Sequence, residues 1–205
     1  MADEERSAAR RRQIFQAAAT VFARQGYHGA RMDDIVKESG LSKGALYWYF
    51  KNKEELATGL VHQMLSAEKR GMDALMAAPG PASERLEELV RGFARELTKD
   101  PEKGPLALEL LSLAQNIPDI RACYSLHHEQ YTEYMRTLLL EVCEATPEAS
   151  DEAARRAEAA ALALASAVDG LALRWTLART AFDLEEKLWE VVQVIVRGLL
   201  SPSAA

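Results

Sequence analysis

The sequence predicts an all-α protein. Apolar residues recur every three or four positions along almost the whole chain, and no segment shows the alternating pattern of a β-strand. The composition, 48% hydrophobic and 27% charged with 11 glycines and 7 prolines, is typical of a globular protein. A chain of 205 residues can form one large domain, or a small domain and a larger one, with a core in each.

Three helices are predicted near the N-terminus. The first has an apolar stripe over residues 14–22 and ends at Gly26. The second covers residues 32–39. The third, residues 43–50, is only about two turns long, and the hydroxyl of Ser42 can accept a backbone N–H at its start. Two short helices behind a longer one, joined by a tight turn, have the layout of a helix-turn-helix.

A fourth helix is predicted over residues 53–77, with Asn52 as its N-cap and Glu55 completing a capping box. Stretches rich in turn-forming residues then divide the rest of the chain. They are residues 78–83, 100–105, 116–119, 146–151 and 181–186. These breaks leave about five more helices, of which the last two cover residues 151–181 and 184–199.

Charge is unevenly distributed along the chain. Residues 1–55 carry ten Lys/Arg against eight Asp/Glu, whereas the rest of the chain carries 15 against 23. A mildly basic first part therefore precedes an acidic remainder. The chain begins with charged residues rather than an apolar signal segment, and its least polar stretch, residues 157–175, still contains three charged side chains. We therefore expect a cytoplasmic protein with no membrane partner.

The third helix has two different faces. At 100° per residue, Leu46 and Phe50 point to one side, where they can pack on the apolar stripe of the second helix. Gly44, Ala45 and Trp48 point to the opposite side. Small side chains beside aromatic ones with polar tips suit insertion into a groove, and a helix-turn-helix inserts its second helix into the DNA major groove. The alternative is that these aromatic residues only cover a hydrophobic core.

Each side chain of this outer face has a use on DNA. Lys43 can reach guanine O6 and N7, and the methyl group of Ala45 can meet that of thymine. The Tyr47 and Tyr49 hydroxyls and the neighbouring indole N–H can donate to phosphates. Lys53, with the exposed N–H groups at the start of the fourth helix, makes a second anion site.

A longer pattern contains this helix. Residues 11–57 contain F-x-x-x-G-Y, followed by D-I-x-x-x-x-G-[VL]-S-x-G-x-[LI]-Y-x-[YH]-F-x-x-K. This stretch resembles the DNA-binding domain of the TetR family of bacterial transcriptional regulators. The matching residues are Phe22, Gly26, Tyr27, Asp34, Ile35, Gly40, Leu41, Ser42, Gly44, Leu46, Tyr47, Tyr49, Phe50 and Lys53.

The resemblance implies an all-α homodimer. Each subunit would have an N-terminal three-helix DNA-binding domain and a larger C-terminal helical domain for ligand binding and dimerisation. We assign the first domain to residues 1–55 and the second to residues 56–205, with the helix at 53–77 linking them. The family residues that meet DNA match Lys43, Gly44, Ala45, Tyr47, Trp48, Tyr49 and Lys53.

One position departs from the family pattern. The family usually has Thr or Ser at the position of Ala30, opening the second helix, where its oxygen caps the helix and touches phosphate. Ala30 can do neither. We expect Arg31 to supply the phosphate contact instead, and Ser42 completes the predicted DNA-binding set. The arginines at 10–12 either contact phosphate or form a solvated helix start.

The last two helices are predicted to form the dimer interface. Residues 159–168 are rich in small side chains that allow close helix approach, and the final helix carries an apolar stripe. That stripe consists of Trp189, Val192, Ile195, Val196 and Leu199. The alternative is that both helices belong to the core within one subunit.

Polar residues within apolar helices mark the predicted effector pocket, because an unpaired buried polar group costs about 1 to 3 kcal/mol. Such a pocket would hold a small, mostly apolar effector with a few directional contacts. Its predicted lining is Phe93, Leu108, Leu111, Gln115, Tyr124, His128, Tyr131, Asp169, Arg174 and Trp175.

These observations predict a ligand-responsive, DNA-binding repressor that acts on a palindromic double-stranded operator and needs no cofactor. The sequence lacks hydrolase, nucleotide-binding and metalloprotease motifs, which argues against an enzyme. Two alternatives stay open: a helical module that binds a protein partner, and a metal- or thiol-sensing regulator that uses Cys123, His127 and His128. Cys123 and Cys143 share one predicted helix about 30 Å apart, so they cannot form a disulfide with each other.

Overall fold

A computed structural model of the chain describes residues 2–144, 151–178 and 182–200. These residues form nine α-helices and contain no β-strand, which confirms the predicted all-α class. The helices are α1 (Ala2–Gly29), α2 (Met32–Ser39), α3 (Lys43–Tyr49), α4 (Lys53–Met76), α5 (Ala82–Lys99), α6 (Lys103–Ser112), α7 (Pro118–Glu144), α8 (Asp151–Leu177) and α9 (Leu184–Leu200). A short 3-10 turn, Leu113–Gln115, follows α6.

The first helix is interrupted at Gly26, as predicted, and a short helical piece follows. At Gly26 the backbone enters the left-handed region, with φ 72°, and the helix then resumes as far as Gly29. The Glu109 carboxylate of α6 accepts a hydrogen bond from the Tyr27 N–H at this kink. A Cβ atom at residue 26 would lie only 3.1 Å from that carboxylate. The predicted interruption at Gly26 is therefore confirmed, and the kink is stabilised by a residue more than 80 positions away.

The turns around α2 and α3 follow the predicted chemistry. Gly40, with φ 66°, ends α2 in the left-handed conformation that glycine favours. The Ser42 hydroxyl accepts the Ala45 N–H at 3.2 Å, which confirms its role as the N-cap of α3. At the start of α4, the Asn52 side chain accepts the Glu55 N–H at 2.7 Å, as predicted, whereas the Glu55 carboxylate accepts the Lys51 N–H rather than that of Asn52, so the predicted capping box forms only in part. Local sequence signals thus determine where these short helices begin and end.

The chain forms two compact units. The first consists of the described residues up to 67 together with residues 105–124, and the second consists of residues 68–104 together with the described residues from 125 onward. Helices α4, α6 and α7 each contribute residues to both units. The functional division at residue 55 stays a prediction.

The first unit has its own hydrophobic core. The inner faces of α1, α2 and α3 meet there with residues of α4, α6 and α7. Its largest fully buried side chains are Ile14, Phe22, Ile35, Leu46, Leu56, Leu110 and Ile120. The burial of Leu46 and Phe50 confirms the predicted inner face of α3.

The second unit has a separate core that includes residues from α5, α7, α8 and α9. Its largest fully buried side chains are Leu86, Met135, Leu138, Leu139 and Leu164. Trp175 is buried among them, and Phe93 and Trp189 pack against them. Val192 and Leu199, of the α9 stripe predicted for dimerisation, are buried in this core as well, so that stripe packs within the unit and its assignment to the dimer interface is wrong.

Large apolar side chains remain exposed on α8 and α9. Leu162, Leu173, Leu177 and Val194 have exposed fractions between 43% and 74%.

Over residues 155–177, α8 is long and apolar enough to cross a membrane by length and composition. A core helix of a soluble protein passes the same test, so one such helix is weak evidence for a membrane span.

Candidate functional site

The outer face of α3 is open to solvent. Trp48 is 76% exposed, and its ring meets the edge of Tyr49, with 4.6 Å between the ring centroids. Tyr47 is 38% exposed, and a Cβ atom added at Gly44 would have open space around it. Trp48 is therefore not a core residue, which contradicts the alternative of a simple core covering for this side chain. The face offers aromatic rings and polar donors beside a bare stretch of backbone.

Lys43 lies at the start of this face and is paired in the free protein. Its ammonium is 2.8 Å from the Asp33 carboxylate of α2, and it also lies over the Tyr47 ring at 5.8 Å. The hydrogen bond between Lys43 and Asp33 lowers the pKa of Asp33 and raises the pKa of Lys43. Both side chains are well exposed, so the pair is weak and Lys43 can exchange Asp33 for a base or a phosphate.

Lys53 lies in a different environment from the one predicted for an anion site. Its ammonium donates hydrogen bonds to the backbone carbonyls of Tyr27, His28 and Ala30, at 2.6, 3.3 and 2.8 Å. It also lies 4.5 Å from the centre of the Tyr27 ring. Burial lowers the pKa of the Lys53 ammonium. Because its three protons are engaged with carbonyls at the end of α1, Lys53 must release one of them to donate to a phosphate.

The start of α2 is organised around Arg31 rather than Ala30. Arg31 is the N-cap residue, and its N–H donates to the Asp34 side chain at 3.2 Å. Ala30 is buried and lies one residue before the cap, so the expectation that it opens α2 is wrong by one residue. The Asp34 carboxylate therefore caps the Arg31 N–H, and the Arg31 side chain is exposed at the same end of the helix.

A second group of polar residues lies within the other unit. We call it the Tyr131 cluster; it consists of Glu68, His127, His128, Tyr131 and Asp169. His127 Nε2 is 3.2 Å from Glu68 Oε2, and His128 Nε2 is 3.9 Å from Asp169 Oδ2. The His127 ring stacks on the Tyr131 ring, with 6.4 Å between centroids. The cluster thus brings side chains of α4, α7 and α8 together.

The Tyr131 hydroxyl is the unusual member of this cluster. Its oxygen is buried and has no hydrogen-bond partner among the described residues. Burial raises the pKa of Tyr131, and the nearby Asp169 and Glu68 carboxylates raise it further, so the hydroxyl stays protonated. A buried donor without an acceptor is destabilising by itself, which is typical of a position that a ligand completes.

Asp169 has a related property. Its side chain keeps 60% of its surface accessible, yet the surrounding protein still displaces enough water to raise the pKa of the carboxyl. His128 and His127 oppose this rise, and Glu68 adds to it through charge repulsion. An accessible carboxylate near the buried Tyr131 hydroxyl can contact a ligand group.

The structure brings only some of the predicted pocket residues together. Within the second unit His128, Tyr131 and Asp169 lie in one cluster, whereas Trp175 is a core residue and Arg174 is exposed. The remaining predicted residue of that unit is Phe93, which packs against its core. The first unit contains Leu108, Leu111, Gln115 and Tyr124, of which Leu111 and Gln115 are exposed.

The sequence did not identify Glu68 as a member of the cluster, and His127 was predicted only for the metal- or thiol-sensing alternative, not for the effector pocket. In the sequence, the charged residues around Glu68 on α4 are typical of a solvent-exposed helix surface. Its partner His127 lies about 60 residues later in the chain. Spacing along one helix therefore could not identify it, because the contact is made across helices.

The metal and thiol alternatives gain no support. Among the described residues, no group of three or more His, Cys, Asp or Glu side chains is arranged to hold a metal ion. Neither Cys123 nor Cys143 is in a disulfide, and both lie on α7, as predicted. Burial raises the pKa of the Cys123 thiol, and Asp119 raises it further, so the reactive thiolate is disfavoured.

Two family patterns cover most of the chain. Residues 14–60 match the bacterial regulatory proteins of the tetR family. Residues 82–201, more than half of the chain, match the C-terminal domain of BetI-type transcriptional repressors. The chain belongs to the TetR family of bacterial transcriptional regulators. The exposed face of α3 lies inside the first match, so it belongs to the helix-turn-helix of a TetR-family protein.

Several TetR-family regulators are similar over much of their length. HTH-type transcriptional regulator TtgR of Pseudomonas putida is 28% identical over 220 residues, covering 94% of this chain and 93% of TtgR. HTH-type transcriptional regulator LmrA of Bacillus subtilis (strain 168) is 34% identical over 133 residues, covering 60% of this chain. The matches span 66% of LmrA and 63% of the B. subtilis regulator YfiR. The proteins named here are described as transcriptional regulators.

Solved structures share the fold. A TetR transcription regulator from Haloarcula marismortui superposes with a TM-score of 0.82 at 17% identity, covering 95% of this chain and all of that one. FadR from Bacillus subtilis, in complex with stearoyl-CoA, has a TM-score of 0.74 at 24% identity, covering 91% and 97%. At these identities the likeness shows the TetR-family fold alone.

Proposed function

We propose that this TetR-family protein is a ligand-responsive repressor. It binds a palindromic operator as a homodimer and is released by a small, mostly apolar effector. The observation that carries the DNA-binding part is the open outer face of α3, with Trp48 at 76% exposure, inside the family's helix-turn-helix. DNA as the partner also supports a cytoplasmic location.

The proposed DNA contacts follow from where each side chain lies. Lys43 exchanges Asp33 for guanine or phosphate, and Gly44 and Ala45 allow the backbone to approach base edges. The aromatic hydroxyls, the indole N–H and the exposed Arg31 side chain meet phosphates. The full proposed set is Arg31, Ser42, Lys43, Gly44, Ala45, Tyr47, Trp48 and Tyr49, with Lys53 joining it only when it releases a carbonyl.

The proposed dimer interface uses α8 and α9. Four large apolar side chains on these helices are exposed, which is unfavourable in water and typical of a surface that a second copy covers. Two-fold pairing of α8 and α9 would form a four-helix arrangement. It would also hold two copies of α3 about one DNA turn, roughly 34 Å, apart or somewhat more.

The proposed effector site includes the Tyr131 cluster. Its buried hydroxyl has no partner among the described residues, so an effector with one polar group could satisfy it while an apolar body fills the rest of the site. FadR of B. subtilis, crystallised with stearoyl-CoA, supports a partly apolar effector by likeness of fold. The effector would act by favouring a conformation in which the two α3 helices no longer match the operator.

Two contacts to the end of α1 support such coupling. Glu109 of α6 accepts the Tyr27 N–H, and Lys53 of α4 donates to the carbonyls of Tyr27, His28 and Ala30. A shift of α4 or α6 would therefore reach the helix that supports α2 and α3 through hydrogen bonds rather than through loose packing.

The test is fluorescence anisotropy of labelled DNA taken from beside the protein's own gene, titrated across a salt series. We expect selective binding, and we expect Tyr47→Ala to weaken it at least about 10-fold. Gln16→Ala, a change at an exposed position on α1, is the control and should leave binding unchanged. If neither this DNA nor fragments from a genomic selection bind selectively, the repressor proposal fails. An effector that binds at saturation without changing operator affinity would remove the ligand-responsive part.

A further inference from the structure

The first turns of α1 and the outer face of α3 enclose a shallow groove of about 440 Å³. We call it the α1–α3 groove. Arg6 and Arg10 lie on its α1 side, and Ala45, Trp48 and Tyr49 lie on its α3 side. None of its lining residues is acidic. The groove is therefore basic on one wall and aromatic on the other, and it continues from the face that we propose for DNA.

Arg6 and Arg10 are suited to hold a chain of phosphates. They are four residues apart on one helix, so they share a face and lie about one turn from each other. A guanidinium has five N–H donors in a planar fork that fits a phosphate. Arg10 uses one of them on the Gln13 side chain, at 2.9 Å. Gln13 in turn donates to the Ser39 carbonyl at 2.7 Å, which ties this part of α1 to the end of α2.

The next two arginines have different surroundings. Arg11 lies over the rings of Tyr49 and Phe50, at 5.9 and 5.4 Å from their centroids, so it supports the packing of α1 on α3. Arg12 is about 200° around the helix from Arg10 and is exposed, away from the groove. Of the two alternatives given for residues 10–12, phosphate contact therefore suits Arg10 and a solvated helix surface suits Arg12, whereas Arg11 packs on α3.

Trp48 completes the opposite wall. Its ring is 76% exposed, and its indole N–H is a hydrogen-bond donor. A flat apolar ring with one donor can cover a deoxyribose and donate to the adjacent phosphate. The occupant that fits arginines on one wall and an aromatic ring on the other is a sugar–phosphate strand.

We propose that the α1–α3 groove binds the sugar–phosphate backbone of one DNA strand, beside the major groove that α3 enters. The inference rests on the proposed function, and it assigns DNA contacts to Arg6 and Arg10 and a backbone role to Trp48. Contacts of this kind carry no base information, so the groove sets affinity and salt dependence while the rest of the α3 face sets sequence preference.

The test compares three arginine variants on two duplexes, the operator and a scrambled sequence of equal length. For Arg6→Ala and Arg10→Ala we expect the slope of log K against log salt to fall by about 0.9 each. We also expect affinity for both duplexes to fall by the same factor. Arg12→Ala removes the same charge from the same helix but faces away from the groove, so its slope should stay near that of wild type.

Two further measurements separate a contact from general charge. Arg10→Lys keeps the charge but loses the fork, so we expect the wild-type salt slope with weaker binding. Acrylamide quenching of tryptophan emission should fall when the scrambled duplex is added. Trp48→Phe should abolish that change, because Trp175 is buried and Trp189 partly buried.

The outcomes distinguish the groove from the function it depends on. Equal salt slopes for Arg10→Ala and Arg12→Ala would overturn the groove proposal, as would loss of operator binding alone with scrambled binding intact. Failure of the wild-type protein to bind any duplex, including fragments from the genomic selection, would instead overturn the proposed function. Circular dichroism of each variant, with an unchanged helical signal, makes the slopes comparable.

Discussion

The α3 face and the Tyr131 cluster differ in how their polar groups are solvated: those on α3 are exposed to water, whereas the Tyr131 hydroxyl is buried. On α3 the polar groups of the aromatic residues and of Lys43 are in water or in weak, exposed pairs. Their exposure therefore costs the protein little stability when no partner is bound. In the Tyr131 cluster a hydroxyl is buried without a partner, which costs about 1 to 3 kcal/mol until a ligand satisfies it. Changes on α3 should therefore affect binding and leave stability alone, whereas changes in the cluster should affect both.

The largest expected effect comes from Gly44→Glu. A Cβ atom at residue 44 meets nothing within 4 Å, and an acidic residue near the start of α3 favours the helix, so the fold should be kept or slightly stabilised. The new carboxylate would face phosphates, and we expect operator affinity to fall about 100-fold or more. Anisotropy and thermal melts measure the two effects. Gly44→Gln has nearly the same size without the charge; an equal loss with Gln would show that space, not charge, is decisive.

Lys53→Met tests the boundary of the α3 face. Loss of the hydrogen bonds to three carbonyls should lower the free energy of unfolding by about 2 kcal/mol, measured by urea denaturation. Lys53→Arg keeps the charge and should lose less. Unchanged stability together with a salt slope for DNA binding that is smaller by about 0.9 would instead make Lys53 the phosphate contact that its sequence position predicts.

Tyr131→Phe removes the unpartnered hydroxyl. Because no hydrogen bond is lost, we expect the free energy of unfolding to stay the same or rise by up to about 1 kcal/mol. Operator affinity without effector should not change, and the effector response should weaken. Tyr134→Phe is a matched control, since its hydroxyl does have a partner in Asp73. A marked loss of stability in Tyr131→Phe would mean that the hydroxyl already has a structural role.

Asp169→Asn should have the smallest effect. The raised pKa of Asp169 means that the folded state disfavours its carboxylate, so the protonated form stabilises the fold at low pH and that stability is lost as pH rises through the folded-state pKa. Asparagine avoids the loss, and we expect Tm near pH 7 to rise by about 1 to 2 °C because solvent screens most of the effect. The difference should vanish below about pH 3, where wild type is protonated in both states. Glu129→Gln, an exposed change on α7, provides the baseline.

How well the sequence predicted a feature depended on how local its cause is. Ser42 caps α3 through the Ala45 N–H three residues away, and Leu46 and Phe50 turn inward as their spacing requires. The family pattern also lies entirely within residues 11–57, where such local rules operate. The class of the fold and the exposed outer face of α3 could therefore be predicted from the sequence alone.

Features with distant causes were not readable in this way. Lys53 matches a phosphate-contact pattern, but its ammonium reaches carbonyls 23 to 26 residues earlier. The kink after Gly26 persists because of Glu109, and the Tyr131 cluster needs Glu68 from another helix. Helical periodicity predicts which residues share one helix face, but it carries no information about which faces of different helices meet.

Two glycines of the first unit would respond differently to random mutagenesis. Gly26 combines a left-handed backbone with a carboxylate 3.1 Å from where a Cβ would lie, so a library screened only for folded protein should keep it almost without exception. Gly44 has open space and ordinary helical geometry, so the same screen should let it drift toward better helix formers. A screen for operator occupancy should then restore Gly44. Sequencing both libraries would distinguish the residues that the fold requires from those that operator binding requires.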